Sequence, residues 1–279
     1  MASFFYAAEK EREKMIVTTA GRTNKEMIEK AKQIANELRI RYVTRNKSSV
    51  EAIQRQWHDD VLVVGKNRLE IRPMNGDEPL FFHPNSAMFR VKRILRGESE
   101  PFLQATKLTK GMSFLDCTLG LASDSIVAST VVGESGKVTG IEGNRYIAYL
   151  VKHGLQHWDS GLEKMNEAMR RIQVIQNDYR TFLASLPDRS FDVVYFDPMF
   201  EEAILESDGI KGIKPFALYT ELTEEVIAEA KRVARKRVVL KDHWKSTRFE
   251  RFDFTVYVRK TAKFHFATIE LGERNEERR

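Results

Sequence analysis

The residues best suited to chemistry stand at the end of an apolar run, in residues 191–200, FDVVYFDPMF. The apolar run predicts a buried strand, which is followed by Asp197, Pro198 and, after Met199, Phe200. A carboxylate and a backbone carbonyl can accept hydrogen bonds from a planar amino group, and an aromatic ring can stack on the ring that bears it. The segment therefore predicts chemistry on the amino group of a nucleobase.

A second loop of interest lies upstream, in residues 116–121, DCTLGL, between a predicted strand at 112–117 and a predicted helix at 124–132. Gly120 allows a ligand to approach the backbone, and the free amides at the start of a helix face polar groups. A dinucleotide site would have the motif G-x-G-x-x-G here, but this loop has only Gly120. The loop is therefore poorly suited to bind a pyrophosphate. Asp116 instead suits a ligand that brings an ammonium group.

Two further acidic residues stand at the carboxyl ends of the next two predicted strands. Glu142 ends the strand at 137–142, the position at which an acidic side chain accepts the hydroxyls of a ribose. Asp178 follows the strand at 172–177 and is placed to meet an adenine amino group. Each carboxylate has an ordinary alternative role as a helix N-cap. The series of acid-ended strands is more specific than any one of its members.

Together these segments resemble the class I S-adenosylmethionine-dependent methyltransferases. More narrowly, they are similar to the bacterial ribosomal RNA guanine-N2 methyltransferases that act on the small-subunit RNA. The resemblance covers residues 80–242 and depends on the loop at 116–121 with Asp124, on the tetrad at 197–200, and on the strand VVLK at 238–241. The narrow family shows a similar D-x-T-x-G-L-x-x-D loop, D-P-M-F tetrad and V-V-x-K strand.

The resemblance implies S-adenosyl-L-methionine as the cofactor and RNA, specifically small-subunit ribosomal RNA, as the partner. The Asp197 carboxylate and the Pro198 carbonyl would orient an exocyclic amino group, while Phe200 would stack on a base turned out of its helix. The expected product is N2-methylguanosine. The residues expected to bind the cofactor are Asp116, Thr118, Gly120, Leu121, Glu142 and Asp178.

Basic residues favour a polyanionic partner, since the chain has a formal net charge of +6. They fall in three clusters, at 39–47, 90–110 and 231–241. From these we predict RNA contacts at Arg93, Arg96 and Lys241. The alternative is that the clusters are solvated helix faces and that Lys241 is a solvated strand end.

The elements that must position these residues divide the chain in two. In residues 106–279, predicted strands and helices alternate, which indicates a doubly wound, mostly parallel α/β sheet with an antiparallel closing pair at 252–259 and 264–270. Residues 1–105 predict a small α+β domain. Its first helix is expected to start at a capping box, Thr23 to Glu26, and to end at Leu38.

Cysteine content and hydropathy limit the remaining possibilities. Cys117 is the one cysteine, which excludes a disulfide framework and a cysteine-based zinc site, and no metal site is predicted. We expect Cys117 to be a small buried side chain in a protein of the cytoplasm. No run of eighteen apolar residues suggests a membrane span.

Two other functions fit the same residues. One is a methyltransferase of the same class that acts on a small molecule or a protein. The other is a non-catalytic RNA-binding protein that keeps the methyltransferase fold as a scaffold. Cofactor binding separates the second from the enzymes, and the intact set of Asp116, Glu142 and Asp178 argues that binding is retained.

Overall fold

A computed structural model describes residues 15–76, 78–198 and 221–272. The described chain forms two compact units, which meet in the sequence between Phe82 and His83. This division lies earlier than the predicted boundary at residue 105. The physical reason is that the helices Asn85–Leu95 and Pro101–Thr106 pack against elements of the second unit.

The first unit contains a five-stranded sheet. Its described elements are β1 (Met15–Thr19), α1 (Lys25–Leu38), β2 (Arg41–Tyr42), α2 (Val50–Trp57), β3 (Asp60–Val64), β4 (Leu69–Arg72) and β5 (Leu80–Phe81). The strand order is β2-β1-β3-β4-β5. Strands β2 and β3 pair with β1 in parallel, whereas the β3–β4 and β4–β5 pairs are antiparallel.

The start of α1 corrects one prediction. Asn24, and not Thr23, is the N-cap, because its extended backbone lets its side-chain oxygen accept from the Met27 amide at 2.8 Å. The predicted end of the helix at Leu38 is confirmed.

The second unit has strands alternating with helices. Its described elements are α3 (Asn85–Leu95), α4 (Pro101–Thr106), β6 (Ser113–Asp116), α5 (Ser123–Val132), β7 (Lys137–Glu142), α6 (Arg145–His157), α7 (Glu163–Arg171), β8 (Gln173–Gln176), α8 (Tyr179–Ser185), β9 (Phe191–Phe196), α9 (Glu224–Val233), β10 (Ala234–His243), α10 (Arg248–Arg251), β11 (Thr255–Tyr257) and β12 (Phe264–Glu270).

These strands form a seven-stranded sheet in the order β11-β12-β10-β9-β6-β7-β8. Strands β6 to β10 run parallel, and β12 and β11 close the sheet in antiparallel pairing, as predicted. The strand order reverses between β6 and β9. In such sheets ligands bind beyond the carboxyl ends of the strands at this switch point. The fold therefore brings the ends of β6 and β9, where the predicted site residues stand, side by side.

An aromatic cluster packs on the central strands. The Phe102 ring of α4 meets the rings of Phe114 in β6 and Tyr195 in β9 edge-on, with centroids 5.7 Å and 5.4 Å apart. All three residues are fully buried. The cluster fixes β6 and β9 against each other next to the predicted site.

Three helices escaped prediction, namely α4, α7 and the four-residue α10. The sequence of α7 is mostly charged, and only Met165, Ala168 and Met169 are buried, so its apolar period spans little more than one turn. The six residues of α4 are too few to show a period at all. Among the helices of the described ranges, none combines the length and the apolar composition needed to cross a bilayer.

Candidate active site

Asp116 organises the loop that follows β6. Its side chain is buried, with Oδ1 accepting from the Thr118 amide at 3.0 Å and Oδ2 from the Ser125 hydroxyl at 2.7 Å. Burial raises the pKa of Asp116 to about 7. The neighbouring Cys117 is buried in the apolar core, as predicted. The carboxylate thus lies where predicted, and it also holds the loop in shape.

Glu142 joins the end of β7 to the same loop. Its Oε2 accepts from the Gly120 amide at 3.2 Å, and its Oε1 accepts from the Asn144 amide at 2.9 Å. Gly120 has φ 48°, a conformation that glycine adopts at little cost. Burial raises the pKa of Glu142 to about 7, although its backbone hydrogen bonds favour the ionised form. Two of the predicted cofactor residues are therefore in direct contact.

Asp178 has the alternative role that the sequence left open. It is the N-cap of α8, and its Oδ1 accepts from the Arg180 amide at 2.8 Å. The Arg180 guanidinium also donates to Oδ2 at 2.6 Å, and this hydrogen bond lowers the pKa of Asp178. A contact of Asp178 with adenine stays a prediction, and any such contact shares the carboxylate with the cap and with Arg180.

Asp197 connects the tetrad to the cofactor loop and to β10. Its amide donates to the Thr118 hydroxyl at 2.6 Å. Its Oδ2 accepts from the Lys241 amine at 2.5 Å. Burial raises the pKa of Asp197 to about 6, and the positive charge of Lys241 limits that rise. The structure thus brings together residues from three of the predicted motifs.

Lys241 lies inside this cluster. Its side chain is 18% exposed, and its amine contacts Asp124 Oδ2 at 3.4 Å as well as Asp197. The two carboxylates raise the pKa of Lys241 against the opposing effect of its burial. This contradicts the alternative of a solvated strand end, because the charge of Lys241 is compensated by buried carboxylates. A contact of Lys241 with RNA stays a prediction.

A buried ion-pair network behind the site was missed by the sequence argument. Asp124 Oδ1 accepts from Arg90 Nη1 at 2.6 Å, and Oδ2 accepts from the Tyr195 hydroxyl at 2.8 Å. Arg90 also donates from Nε to Glu100 at 2.9 Å. Burial alone would raise the pKa of Asp124, but Lys241 and Arg90 hold it below its ordinary value. The only sequence clue was the place of Asp124 in the loop motif.

The basic clusters differ in how far their side chains are exposed and in which carboxylates they pair with. Arg93 and Arg96 both pair with Glu98, at 2.9 Å and 2.7 Å, with side chains 46% and 67% exposed. In the cluster at 231–241, three arginines pair within the fold, namely Arg232 with Asp188 and Glu229, Arg235 with Asp192, and Arg237 with Glu270. Most of that cluster is therefore paired with carboxylates of the same unit, and its contribution to RNA binding stays a prediction.

The remaining predicted residues stand as follows. Pro198 is buried at the end of β9, and Thr118 and Leu121 are partly buried in the loop. Phe200, with Met199 before it, lies outside the described residues.

The site fits the cofactor that the motifs imply. The Glu142 carboxylate is held in place by two backbone amides, and a fixed carboxylate is a suitable acceptor for the hydroxyl groups of a ribose. The donors that Glu142 and Asp116 accept from are neutral, namely backbone amides and the Ser125 hydroxyl, and burial raises the pKa of both carboxyl groups to about 7. A ligand that brings hydroxyls and an ammonium group supplies what these two residues need.

Known proteins are similar to this chain in sequence. Over 257 residues, the chain is 52% identical to YpiP of Bacillus subtilis, which is described as an uncharacterized protein. The match covers 92% of this chain and the full length of the relative. It is 28% identical over 188 residues to ribosomal RNA small subunit methyltransferase J of Legionella pneumophila, covering 67% of this chain and 68% of that one.

A solved structure has the same fold. The S-adenosylmethionine-dependent methyltransferase NGO1261 of Neisseria gonorrhoeae superimposes with a TM-score of 0.59 at 15% sequence identity, covering 91% of this chain and 95% of the other. A family model described as "Putative SAM-dependent methyltransferase" matches residues 45–264, which include the loop after β6, Glu142, Asp197 and Lys241. The chain therefore belongs to this family of S-adenosylmethionine-dependent methyltransferases.

Proposed function

We propose that this methyltransferase acts on the exocyclic amino group of a base in RNA, specifically on N2 of a guanine in small-subunit ribosomal RNA. The observation that supports this most is the Asp197 carboxylate, which follows β9 beside the cofactor loop and is paired with Lys241. Aspartate followed by proline at this position is suited to hold an amino group.

The chemistry requires alignment more than activation. S-adenosylmethionine supplies a methyl group that its sulfonium already activates. An exocyclic amino group is a poor nucleophile, because its lone pair is delocalised into the base. Asp197 and the Pro198 carbonyl would accept from the two N–H groups, which would orient the lone pair and offset the developing positive charge. As the nitrogen–carbon bond forms and the sulfur–carbon bond breaks, the cofactor would leave as its thioether and the nitrogen would lose one proton to the Asp197 carboxylate.

Lys241 and Thr118 prepare Asp197 for this role. The Lys241 charge favours the ionised form of Asp197, which alone can accept hydrogen bonds with both oxygens. The Thr118 hydroxyl accepts from the Asp197 amide and so holds the backbone of the tetrad against the cofactor loop. Thr118 thus links the proposed base-binding residues to the proposed cofactor-binding loop by one hydrogen bond.

The cofactor contacts are proposed as the sequence predicts them. Glu142 accepts the ribose hydroxyls, Asp116 faces the ammonium group, and Asp178 meets the adenine. The backbone of the loop containing Thr118, Gly120 and Leu121 lies against the ligand. Phe200 stacks on the target base.

The RNA assignment is supported by the relatives described as ribosomal RNA small subunit methyltransferase J, which match about two thirds of this chain. It is also supported by the exposed Arg93 and Arg96, which are available for phosphate contacts after release from Glu98. An RNA substrate agrees with the cytoplasmic location that the sequence predicts.

The test is transfer of labelled methyl from S-adenosylmethionine to total RNA, followed by digestion to nucleosides. We expect labelled N2-methylguanosine. Labelled N6-methyladenosine would keep the amino-group mechanism and overturn the choice of guanine. Cofactor binding in calorimetry without transfer to any RNA would indicate a small-molecule or protein substrate. Absence of cofactor binding would indicate a non-catalytic RNA-binding scaffold.

A further inference from the structure

An exposed indole follows the strand that contains Lys241. Trp244 comes directly after β10 and is 51% exposed. Its amide donates to the Lys263 carbonyl at 3.1 Å, which ties it to the start of β12. The Lys245 amine lies 5.0 Å from the centroid of the indole ring. The chain therefore presents a flat aromatic surface with an ammonium group beside it.

The hairpin next to Trp244 is basic. The turn between β11 and β12 contains Arg259, Lys260 and Lys263, and the sequence has no acidic residue from 254 to 269. The side chains of Lys260 and Lys263 are exposed. Positive charge thus accumulates beside the indole without carboxylates interspersed along the hairpin.

This surface continues into the active site through Phe264. The Arg259 guanidinium and the Lys241 amine each lie 4.9 Å from the centroid of the Phe264 ring. The Lys241 amine is in turn 2.5 Å from Asp197 Oδ2. Two side chains therefore connect the basic hairpin to the carboxylate at the reaction centre.

We propose that Trp244, Lys245, Lys260 and Lys263 form a binding surface for single-stranded RNA beside the target nucleotide. The indole stacks on a neighbouring base and the lysines contact the flanking phosphates. Aromatic rings set among cations bind single strands in this way, because every base has a stacking face and every linkage a negative charge. A protein partner fits less well, since lysine is depleted at protein interfaces. The inference rests on the proposed RNA substrate.

The test measures binding of a fluorescein-labelled single-stranded oligoribonucleotide to the full chain by anisotropy. Trp244→Ala should weaken binding by about 5- to 150-fold, the effect of losing one stacked base. Trp244→Phe should keep most of the affinity, because phenylalanine retains a stacking face. Unchanged S-adenosylmethionine binding and thermal unfolding will show that the variants are folded.

The lysines have their own test and a matched control. The double variant Lys260→Ala with Lys263→Ala should reduce the slope of log affinity against log salt by about 1.4, since each single-strand phosphate contact contributes about 0.7. Lys152→Ala with Lys164→Ala removes the same charge from exposed positions on α6 and α7. Helix α6 packs on β7 and β8, at the end of the sheet opposite to β11, and α7 packs on α6. The control should therefore leave the slope unchanged.

Native affinity in Trp244→Ala would overturn the proposal and would favour a protein as the occupant. An affinity of Trp244→Phe as low as that of the alanine variant would overturn stacking as the mode of contact. Failure of the proposed function is seen separately, because it appears as absence of methyl transfer to RNA by the wild-type protein. A wild-type protein that methylates RNA while Trp244→Ala binds normally would reject this surface alone.

Discussion

Lys241 Nζ lies 2.5 Å from Asp197 Oδ2, across the carboxyl edge of two neighbouring parallel strands. The register explains the contact. Leu240 of β10 pairs with Phe196, the last residue of β9, and the residues that follow these two in the chain are Lys241 and Asp197. The pair combines a carboxylate whose pKa is raised by burial with a cation that limits the rise. Its consequences can be measured.

Lys241→Met should shift the pH dependence of methyl transfer. The pKa of Asp197 is about 6, so activity should be lost as the pH falls through this value. Without the lysine charge this pKa rises, and the acid limb should move to higher pH with recovery in more alkaline buffer. Lys236→Met, at an exposed position of the same strand, is the control. An unmoved acid limb would separate Lys241 from the ionisation of Asp197.

Asp197→Ala should abolish methyl transfer while leaving cofactor affinity nearly unchanged. The carboxylate matters most when the amino nitrogen gains charge, so its loss acts on turnover more than on binding. Single-turnover rates and calorimetry measure the two effects. Asp188→Asn, before the amino end of β9, should behave as wild type. Near-native turnover in Asp197→Ala would contradict the amino-group mechanism.

Glu142 should make cofactor binding depend on pH. Its pKa is about 7, and the ionised form is the better acceptor for two hydroxyls, so affinity should fall as the pH drops below that value. Glu142→Gln should remove most of this dependence. Glu142→Ala should weaken binding by about 1.5 to 3 kcal/mol, the range for hydrogen bonds to charged groups. Equal affinity of Glu142→Ala and wild type in calorimetry would reject the ribose assignment.

Arg93 and Arg96 should contribute to the salt dependence of RNA binding. Reversal of both charges, Arg93→Glu with Arg96→Glu, should flatten the slope of log affinity against log salt, because fewer counterions are released. The matched control is Lys152→Glu with Lys164→Glu, which changes the net charge by the same amount at other exposed positions. A wild-type slope near zero would show that the exposed arginines are solvated and that RNA is a poor partner.

Arg90→Met should destabilise the protein strongly. The substitution leaves Asp124 and Glu100 buried without the guanidinium that pairs with both. Removal of one partner from a buried ion pair costs about 3 to 5 kcal/mol of unfolding free energy. Arg93→Met should change this free energy little, because that side chain pairs at the surface. Denaturant unfolding followed by tryptophan fluorescence compares the two, and equal losses would contradict the structural role of Arg90.

The sequence by itself determined the class of fold and the positions of the main motifs. Apolar runs predicted the strands of the second unit, and the acidic residues at their carboxyl ends, Asp116, Glu142 and Asp197, were placed correctly. These are local properties, since a strand pattern and the residue that follows it occupy adjacent positions in the chain. The resemblance of these motifs to those of known methyltransferases then indicated the class.

Only the tertiary structure decided which charged residues meet. Lys241 and Asp124 are separated by 117 positions in the sequence, yet strand order and register bring them to 3.4 Å. The same applies to Arg90 and Asp124, 34 positions apart. A basic residue looks alike in the sequence whether it is solvated or paired, because its partner is chosen by packing. Arg90 and Lys241 therefore proved to be parts of a buried network, while Arg93 and Arg96 remained at the surface.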